Sequence, residues 1–316
     1  MLKHNSKNKI LIKKILCFPW LNKCLQFLLK PVICLLPKAF CRIPVIGIVN
    51  TAVGNTSFLM YGCGNDTIAT AIFWRGLEGF ESETTDLFCE LLDKSKVFID
   101  VGANTGIYSL IAAAKKNDVY AFEPVPSIYE SLQKNIKLNG YSNIEHFPHA
   151  IADRCEPLQL YIPASTAIPT SSSLISGFKA DCESICVDSY TLDSFVEKNK
   201  IKTLDILKID AEGAEIQVLY GAKRTILHFH PIIICEILTG HEKLPQKFFN
   251  DINYLAFLIT SEGLIQQHTI RANNKYLNYL FVHEKDEYLE LSPAFNTTRL
   301  EIASRIESDT NAIQLS

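Results

Sequence analysis

The run Val97-Phe98-Ile99-Asp100-Val101-Gly102-Ala103-Asn104-Thr105-Gly106-Ile107-Tyr108-Ser109-Leu110 constrains the fold more than any other stretch of the chain. Residues Val97 to Ile99 are β-branched or aromatic and read as a buried parallel strand, and the apolar run from Ile107 to Ala114 reads as a helix packed back on it. Between them Gly102 and Gly106 open a turn in which the backbone can pass close to a ligand where a Cβ would intrude. A strand, a glycine turn and a helix in that order specify an α/β unit whose ligand lies at the carboxyl end of the strand.

A second short strand, Val119-Tyr120-Ala121-Phe122, ends at Glu123, about one βαβ half-unit after Asp100. At that spacing an acidic residue meets a ribose, and a carboxylate can accept both of its hydroxyl protons. The glycines stand in a G-x-x-x-G arrangement rather than G-x-G-x-x-G, and no Gly-Lys-Ser/Thr follows to hold a phosphate. The spacing therefore predicts a nucleoside cofactor without a pyrophosphate. S-adenosylmethionine fits, with Asp100 or main-chain groups of the turn near its amino acid end and Glu123 on the ribose. For the two glycines alone, a tight connection with no ligand is an equal reading; Asp100 and Glu123, both at strand ends, argue against it.

The second constellation is Lys208-Ile209-Asp210-Ala211-Glu212-Gly213-Ala214-Glu215, again where an apolar strand meets a helix. Asp210 should leave the strand on the ligand side, where an unpaired buried carboxylate is costly without a functional reason. Glu212 and Glu215 also suit the positive end of the following helix, the favoured reading for Glu215. If the chemistry removes a hydroxyl proton, Asp210, Glu212 or His149 can accept it, and the strand-end position favours Asp210. His149 reads better as a strand-end residue near an adenine, next to Ala150. No His, Asp or Glu set has metal-ligand spacing, although Asp210, Glu212 and Glu236 could converge from adjacent strands on a divalent ion.

Together these motifs resemble the FkbM-type S-adenosylmethionine-dependent methyltransferases. The resemblance rests on Phe98 to Gly106, Ala121-Phe122-Glu123-Pro124, Thr191-Leu192-Asp193-Ser194-Phe195, Leu207 to Glu215, Val218-Leu219-Tyr220-Gly221-Ala222 and Pro231 to Glu236. It implies an α/β fold: a Rossmann-like, seven-stranded, mostly parallel sheet with helices on both faces and an antiparallel closing strand. It also implies methyl transfer, most often onto a hydroxyl of a sugar or secondary metabolite. By the same resemblance Asp100, Gly102, Ala103, Asn104 and Gly106 form the cofactor turn, Glu123 and Pro124 lie at the ribose with Ala150 nearby, and Asp210 and Glu212 face the transfer site. A noncatalytic S-adenosylmethionine-binding scaffold is the rival reading, and a nicotinamide-dependent oxidoreductase is disfavoured by the glycine spacing.

With 316 residues, 47% of them hydrophobic, the chain can bury a full core. The boundaries expected are a basic apolar N-terminal extension over 1–42, a cap region over 43–94, the methyltransferase domain over 95–291 with an insertion at 156–191, and a loosely held tail over 292–316. In the cap, 43–64 alternates as an antiparallel element and Asp66 to Leu92 reads as helical around a turn at 73–81. Later expectations are one strand from Ile144 to Ile151, one helix from about Ala214 to His228, and a closing antiparallel pair at 256–260 and 279–283. The insertion and the 73–81 turn should shape the acceptor pocket for a small molecule or glycan, with Ser171, Ser172, Ser173, Trp74 and Arg75 as candidate binders.

A net charge of −3 and a pI near 6.3 argue against a nucleic-acid partner. The average hides an asymmetry: residues 1–42 carry eight lysines and Arg42 without one Asp or Glu, about +9 against about −12 for the rest. Lysines and prolines break the apolar runs there below the roughly 18 residues of a membrane span, and no cleavage site marks a signal peptide. The segment reads either as an interfacial anchor, with Trp20 and the lysines at anionic headgroups, or as an element packed on the domain or on a second subunit. The ten cysteines read as small buried hydrophobes in a reducing, cytoplasmic compartment, with peripheral membrane contact through 1–42 as the alternative.

Overall fold

The computed structural model describes residues 18–35, 41–54, 56–163, 182–272 and 275–286. The alternating stretch near the start folds as an antiparallel hairpin, β1 (Ile46–Val53) on β2 (Thr56–Cys63). Val49, Val53, Phe58 and Met60 are its inward side chains. Two helices follow, Thr67–Arg75 and Ser82–Leu92. Asp66 caps the first, its Oδ1 accepting from the Ile68 and Ala69 amides at 2.9 and 3.0 Å.

The βα rhythm then begins with β3 (Val97–Val101), helix Ile107–Ala114, β4 (Asp118–Phe122), helix Pro126–Asn139 and β5 (Ile144–Phe147). The single strand expected over 144–151 divides here. Pro148 has no amide to donate to a ladder, so the chain leaves the sheet and β6 (Ala150–Ile151) pairs elsewhere. The insertion supplies an antiparallel hairpin, β7 (Leu158–Pro163) with β8 (Cys182–Val187), and then β9 (Ser189–Tyr190), the parallel partner of β6. Leu160 and Val187 of this hairpin pack with Val125, Ile128 and Ala150. Ser171, Ser172 and Ser173 lie outside the described residues.

After helix Leu192–Asn199 come β10 (Ile206–Ile209), two short helices, Glu215–Gly221 and Lys223–Phe229, and β11 (Ile232–Glu236). One helix was expected where these two stand. The break follows Gly221, where a Cβ would lie 1.9 Å from the Ala152 carbonyl oxygen, so the close crossing of that loop takes precedence over helix continuity. Helix Lys243–Asp251, β12 (Tyr254–Thr260), β13 (Gly263–Gln267) and β14 (Asn278–His283) complete the unit.

The main sheet has eight strands in the order β13-β12-β14-β11-β10-β3-β4-β5. From β5 through β11 the neighbours are parallel; β14 is antiparallel to β11 and to β12. The expected sheet is therefore present with its antiparallel closing pair and one edge strand more, β13, which folds back on β12. That strand left little trace in the sequence, since Leu264 is its one buried side chain.

Alternation along the strands divides the core into two layers. Phe98, Ile206, Ile234 and Leu280 point toward helices Ser82–Leu92 and Ile107–Ala114; Ile99, Val101, Leu207 and Ile233 point the other way, onto Phe195, Val218 and Phe249. Asp100 and Lys208 are register partners between β3 and β10, so two ionisable side chains stand together on the first face.

The hairpin is held to the domain by two asparagines of helix Pro126–Asn139 that act as strand partners. Asn139 exchanges both hydrogen bonds with the Leu59 main chain at 2.7 Å, while Asn135 accepts from the Tyr61 amide and donates to the Thr105 carbonyl, both at 2.8 Å. Asn135 thereby ties the hairpin to the glycine turn. The cysteines correct a sequence expectation: Cys24, Cys63, Cys155 and Cys186 are exposed and Cys235 is buried, because apolar neighbours in sequence do not decide which face a small side chain occupies. Replacing Asn135 with Ala should leave a half-buried amide and a buried carbonyl unpaired and cost about 3 kcal/mol. Urea unfolding measures the loss, and the matching Asn139→Ala change, at a more exposed position, should cost less.

Candidate functional site

Two loops meet where β3 and β10 end. The Gly102 and Ala103 amides both donate to the Phe122 carbonyl at 3.0 and 2.9 Å, and the Asp210 amide donates to the Val101 carbonyl at 3.0 Å. Gly102 has φ +80°, and a Cβ on it would lie 1.9 Å from the Asp210 carbonyl oxygen. Gly106, at φ +97°, would carry a Cβ 2.5 Å from a Leu132 methyl. The sequence suggested that these glycines spare room for a ligand. Their nearest constraint is instead the protein itself, one glycine admitting the second loop and the other the helix behind the turn.

Glu123 organises the ligand side. One carboxylate oxygen accepts from the Asn104 amide at 3.0 Å and the other from the Val125 amide at 2.9 Å, which fixes the carboxylate plane across the turn. Burial pushes its pKa up to about 7, against the pull of those two amides. Asn104, at φ +52°, holds its left-handed conformation by accepting the Thr105 amide on its own side chain at 2.8 Å.

The second loop is built around Lys208. This lysine sits in an apolar strand, 2% exposed, with Nζ 2.9 Å from Asp210 Oδ2 and 4.6 Å from the centre of the Tyr108 ring. Burial acts to lower its pKa, but Asp210, Glu81 and Asp100 outweigh that and hold it above its ordinary value. Tyr108 donates to Glu81 at 2.7 Å, and Asn278 donates to the same carboxylate oxygen at 3.2 Å. Asp100 accepts from the Ser109 hydroxyl at 2.6 Å, and burial pushes its carboxyl up. Asp210 is thus not the unpaired carboxylate that the sequence suggested; Lys208 holds it.

Glu212 and Gly213 turn the chain with positive φ, 49° and 96°. Glu215 braces this turn, accepting from the Ala211 and Gly213 amides at 3.1 and 2.9 Å. It is a buried structural group, as the helix-end reading expected, and burial pushes it up to about 7. Glu236 at the end of β11 is pushed up to about 9 by burial and by the neighbouring charges of Asp210 and Glu212. Among the described residues no three His, Cys, Asp or Glu side chains gather where they could hold a metal ion, so Asp210, Glu212 and Glu236 do not form the convergence considered for a divalent cation.

A cavity opens between the loops. Gly102, Asn104, Glu123, Pro124, His149, Ala150, Asp210 and Glu212 line it, with Val101, Phe122, Ile128, Ile151 and Leu160 as its apolar wall. The structure thus brings together most of the residues expected at a cofactor. Asp100, Ala103 and Gly106 are not among the lining residues; Asp100 is turned toward Ser109 and Lys208 because even and odd positions of β3 face opposite layers. His149 packs on Tyr190 with 4.8 Å between ring centres, and its buried Nδ1 has no hydrogen-bond partner among the described residues. Trp74 is buried, donating to the Ile43 carbonyl at 2.9 Å, so it is a cap-region anchor and not an acceptor binder; Arg75 is exposed.

Lys208, Glu81, Tyr108 and Asn278 had no assigned role in the sequence reading. A lysine inside an apolar strand was the available signal for the first. Nothing local marks Glu81 or Asn278, which are 197 positions apart and meet through the fold.

A family model described as the methyltransferase FkbM domain matches residues 100–263, just over half of the chain, and the chain belongs to that family. The match contains the glycine turn, Glu123 and the Asp210 loop. The hexuronic acid methyltransferase AglP of Haloferax volcanii is 27% identical over 171 residues, 52% of this chain and 65% of that protein. Methyltransferase sdnD of Sordaria araneosa is 28% identical over 160 residues, 41% of this chain and 61% of that protein. The chain thus spans about three fifths of the length of three curated relatives it matches and about a fifth of a fourth. A crystal structure of methyltransferase FkbM from Methylobacillus flagellatus is similar over 60% of this chain and 44% of its own, with a TM-score of 0.40 and 16% identity.

The raised pKa of Glu123 has a definite sign. Its folded value, about 7, lies above the ordinary 4.5, so the folded chain binds more protons between those values and loses stability as pH rises through the window. Glu123→Gln should therefore gain thermal stability relative to the parent protein as pH is raised from about 5 to about 8. Melting curves across that range check it, and a difference independent of pH would count against a buried carboxylate.

Proposed function

We propose that this chain is an S-adenosylmethionine-dependent methyltransferase that acts on a hydroxyl of a sugar, glycan or secondary metabolite, with Asp210 accepting the hydroxyl proton. The observation that carries the reading is the convergence of Glu123 and Asp210 on one cavity from two loops pinned to each other. The cavity suits a nucleoside. Its wall is largely apolar, and Glu123 and His149, whose buried Nδ1 has no hydrogen-bond partner among the described residues, are polar groups on its lining.

Glu123 would hold the ribose hydroxyls, Gly102 and Asn104 the amino acid end, and His149 with Ala150 the adenine. S-adenosylmethionine supplies a methyl group already activated by its sulfonium. The chain's own task is then to orient the acceptor oxygen and to take its proton. Asp210 lines the cavity while Lys208 fixes one of its oxygens, which leaves the other to face an acceptor. Lys208 acts through Asp210 and is a positioning residue, and Glu81 and Tyr108 hold it in turn. A relative that methylates a hexuronic acid supports a sugar-like acceptor.

The test is transfer of a labelled methyl group to a panel of uronic acids, neutral sugars and phenolic acceptors, preceded by thermal shift with S-adenosylhomocysteine. Absence of any shift in folded protein would sink the reading. Asp210→Asn should lower kcat by about 10²-fold or more with S-adenosylhomocysteine affinity within about threefold of the parent. Glu123→Gln should do the reverse, weakening that affinity about tenfold or more through the lost charged acceptor, as calorimetric titration would measure.

A further inference from the structure

Helix Pro19–Leu29 docks by its polar side. Asn22 is its fully buried residue: the side-chain amide donates to the Pro44 carbonyl, and its oxygen accepts from the Ile46 amide at 2.9 Å. Gln26, one turn on, donates to Asn22 and to the Ile46 carbonyl. Leu29 and Ile33 make the partly buried apolar contact with the core. The opposite side is apolar and uncovered, with Trp20 63%, Phe27 81% and Leu28 65% exposed, and Leu35, at the end of the 3-10 turn Lys30–Leu35 that follows, is 81% exposed. Trp20 and Phe27 are seven positions apart and share a helix face; Phe18 extends the patch, its ring 6.0 Å from that of Trp20. This is the reverse of a helix that packs on its domain, and a contiguous apolar patch of this kind marks a contact surface.

Charge indicates what covers it. Lys23 and Lys30 are exposed beside the patch, with Lys30 Nζ 4.4 Å from the Phe73 ring centre, and residues 1–42 contain eight lysines, one arginine and no acid. A second copy paired through this same face would bring an equal positive charge against this one. An anionic lipid headgroup layer supplies both the missing apolar cover and the opposite charge. We propose that residues 18–35 form an interfacial element that seats the protein on an anionic bilayer, with Trp20, Phe27, Leu28 and Leu35 entering the headgroup boundary. No helix among the described residues is long and apolar enough to cross a membrane, so the element lies on the surface and does not span it. Asn22 and Gln26 then serve to fix the angle at which the domain meets the bilayer.

The experiment uses the full chain and vesicles of phosphatidylcholine, alone or with about 30 mol% phosphatidylserine. The expected result is co-flotation with the anionic vesicles, at least about tenfold tighter than with phosphatidylcholine alone and weakened by salt. Trp20 reports directly, because the chain has two tryptophans and Trp74 is buried: its emission should shift to the blue on binding, and Trp20→Phe should remove the shift. The triple variant Trp20→Ser, Phe27→Ser, Leu28→Ser should lose flotation about tenfold or more while keeping the parent melting temperature, since all three side chains are exposed. Flotation of the triple variant at the parent level, or none by the parent protein, would overturn the proposal. So would a parent dimer in lipid-free sedimentation that the triple variant abolishes, which would assign the face to a second copy.

Discussion

An ammonium ion in the middle of a sheet has to be balanced by carboxylates, and the way Lys208 is balanced ties distant parts of this protein together. Asp100 reaches it from the neighbouring strand, Asp210 from the loop that follows it, and Glu81 from the start of a helix in the cap region. Burial alone would lower the lysine's pKa, and the three acids reverse that. Asp100 is buried and Glu81 and Asp210 are half-buried, so removing the lysine would leave their mutual repulsion without its counter-charge. The result is a carboxylate, Asp210, held on the lining of a cavity by a buried partner.

The same economy governs the Glu123 side of the cavity. Glu123 satisfies two turn amides and so fixes the shape of the glycine turn; the turn places Gly102 against the Asp210 carbonyl; and Asn135 ties the back of the turn to the hairpin. The cavity is therefore bounded by loops whose geometry is set by the main chain. A ligand meets polar groups that are already oriented, which limits the entropy lost on binding.

Much of this was legible in the sequence because it is local. The strand, glycine turn and helix around Gly102, the acid ending the next strand, and the acidic loop after β10 are each contained within eighteen residues or fewer and follow periodicity and turn chemistry. Less legible were features set by a distant partner. Pro148 ended a strand whose apolar pattern continued; Gly221 divided a helix where Ala152 crosses it; and the parity of β3 turned Asp100 away from the cavity although it sits near the end of its strand, beside the glycine turn. Cysteine burial failed for a related reason, since a small side chain carries too weak a preference to choose its own face.

The sequence by itself determined the alternation of strands and helices in the core of the sheet, the site of the glycine turn and the residue types offered to the cavity, because these depend on contacts a few positions apart. The tertiary structure decided which carboxylates are paired and which are presented. Lys208 captures Asp210, Glu215 is spent on a turn, and Glu123 faces the cavity, distinctions that depend on burial and on charges brought from positions as far apart as Glu81 and Glu236. Electrostatic energy in a poorly solvated interior depends on distance in space, and only the fold sets that distance.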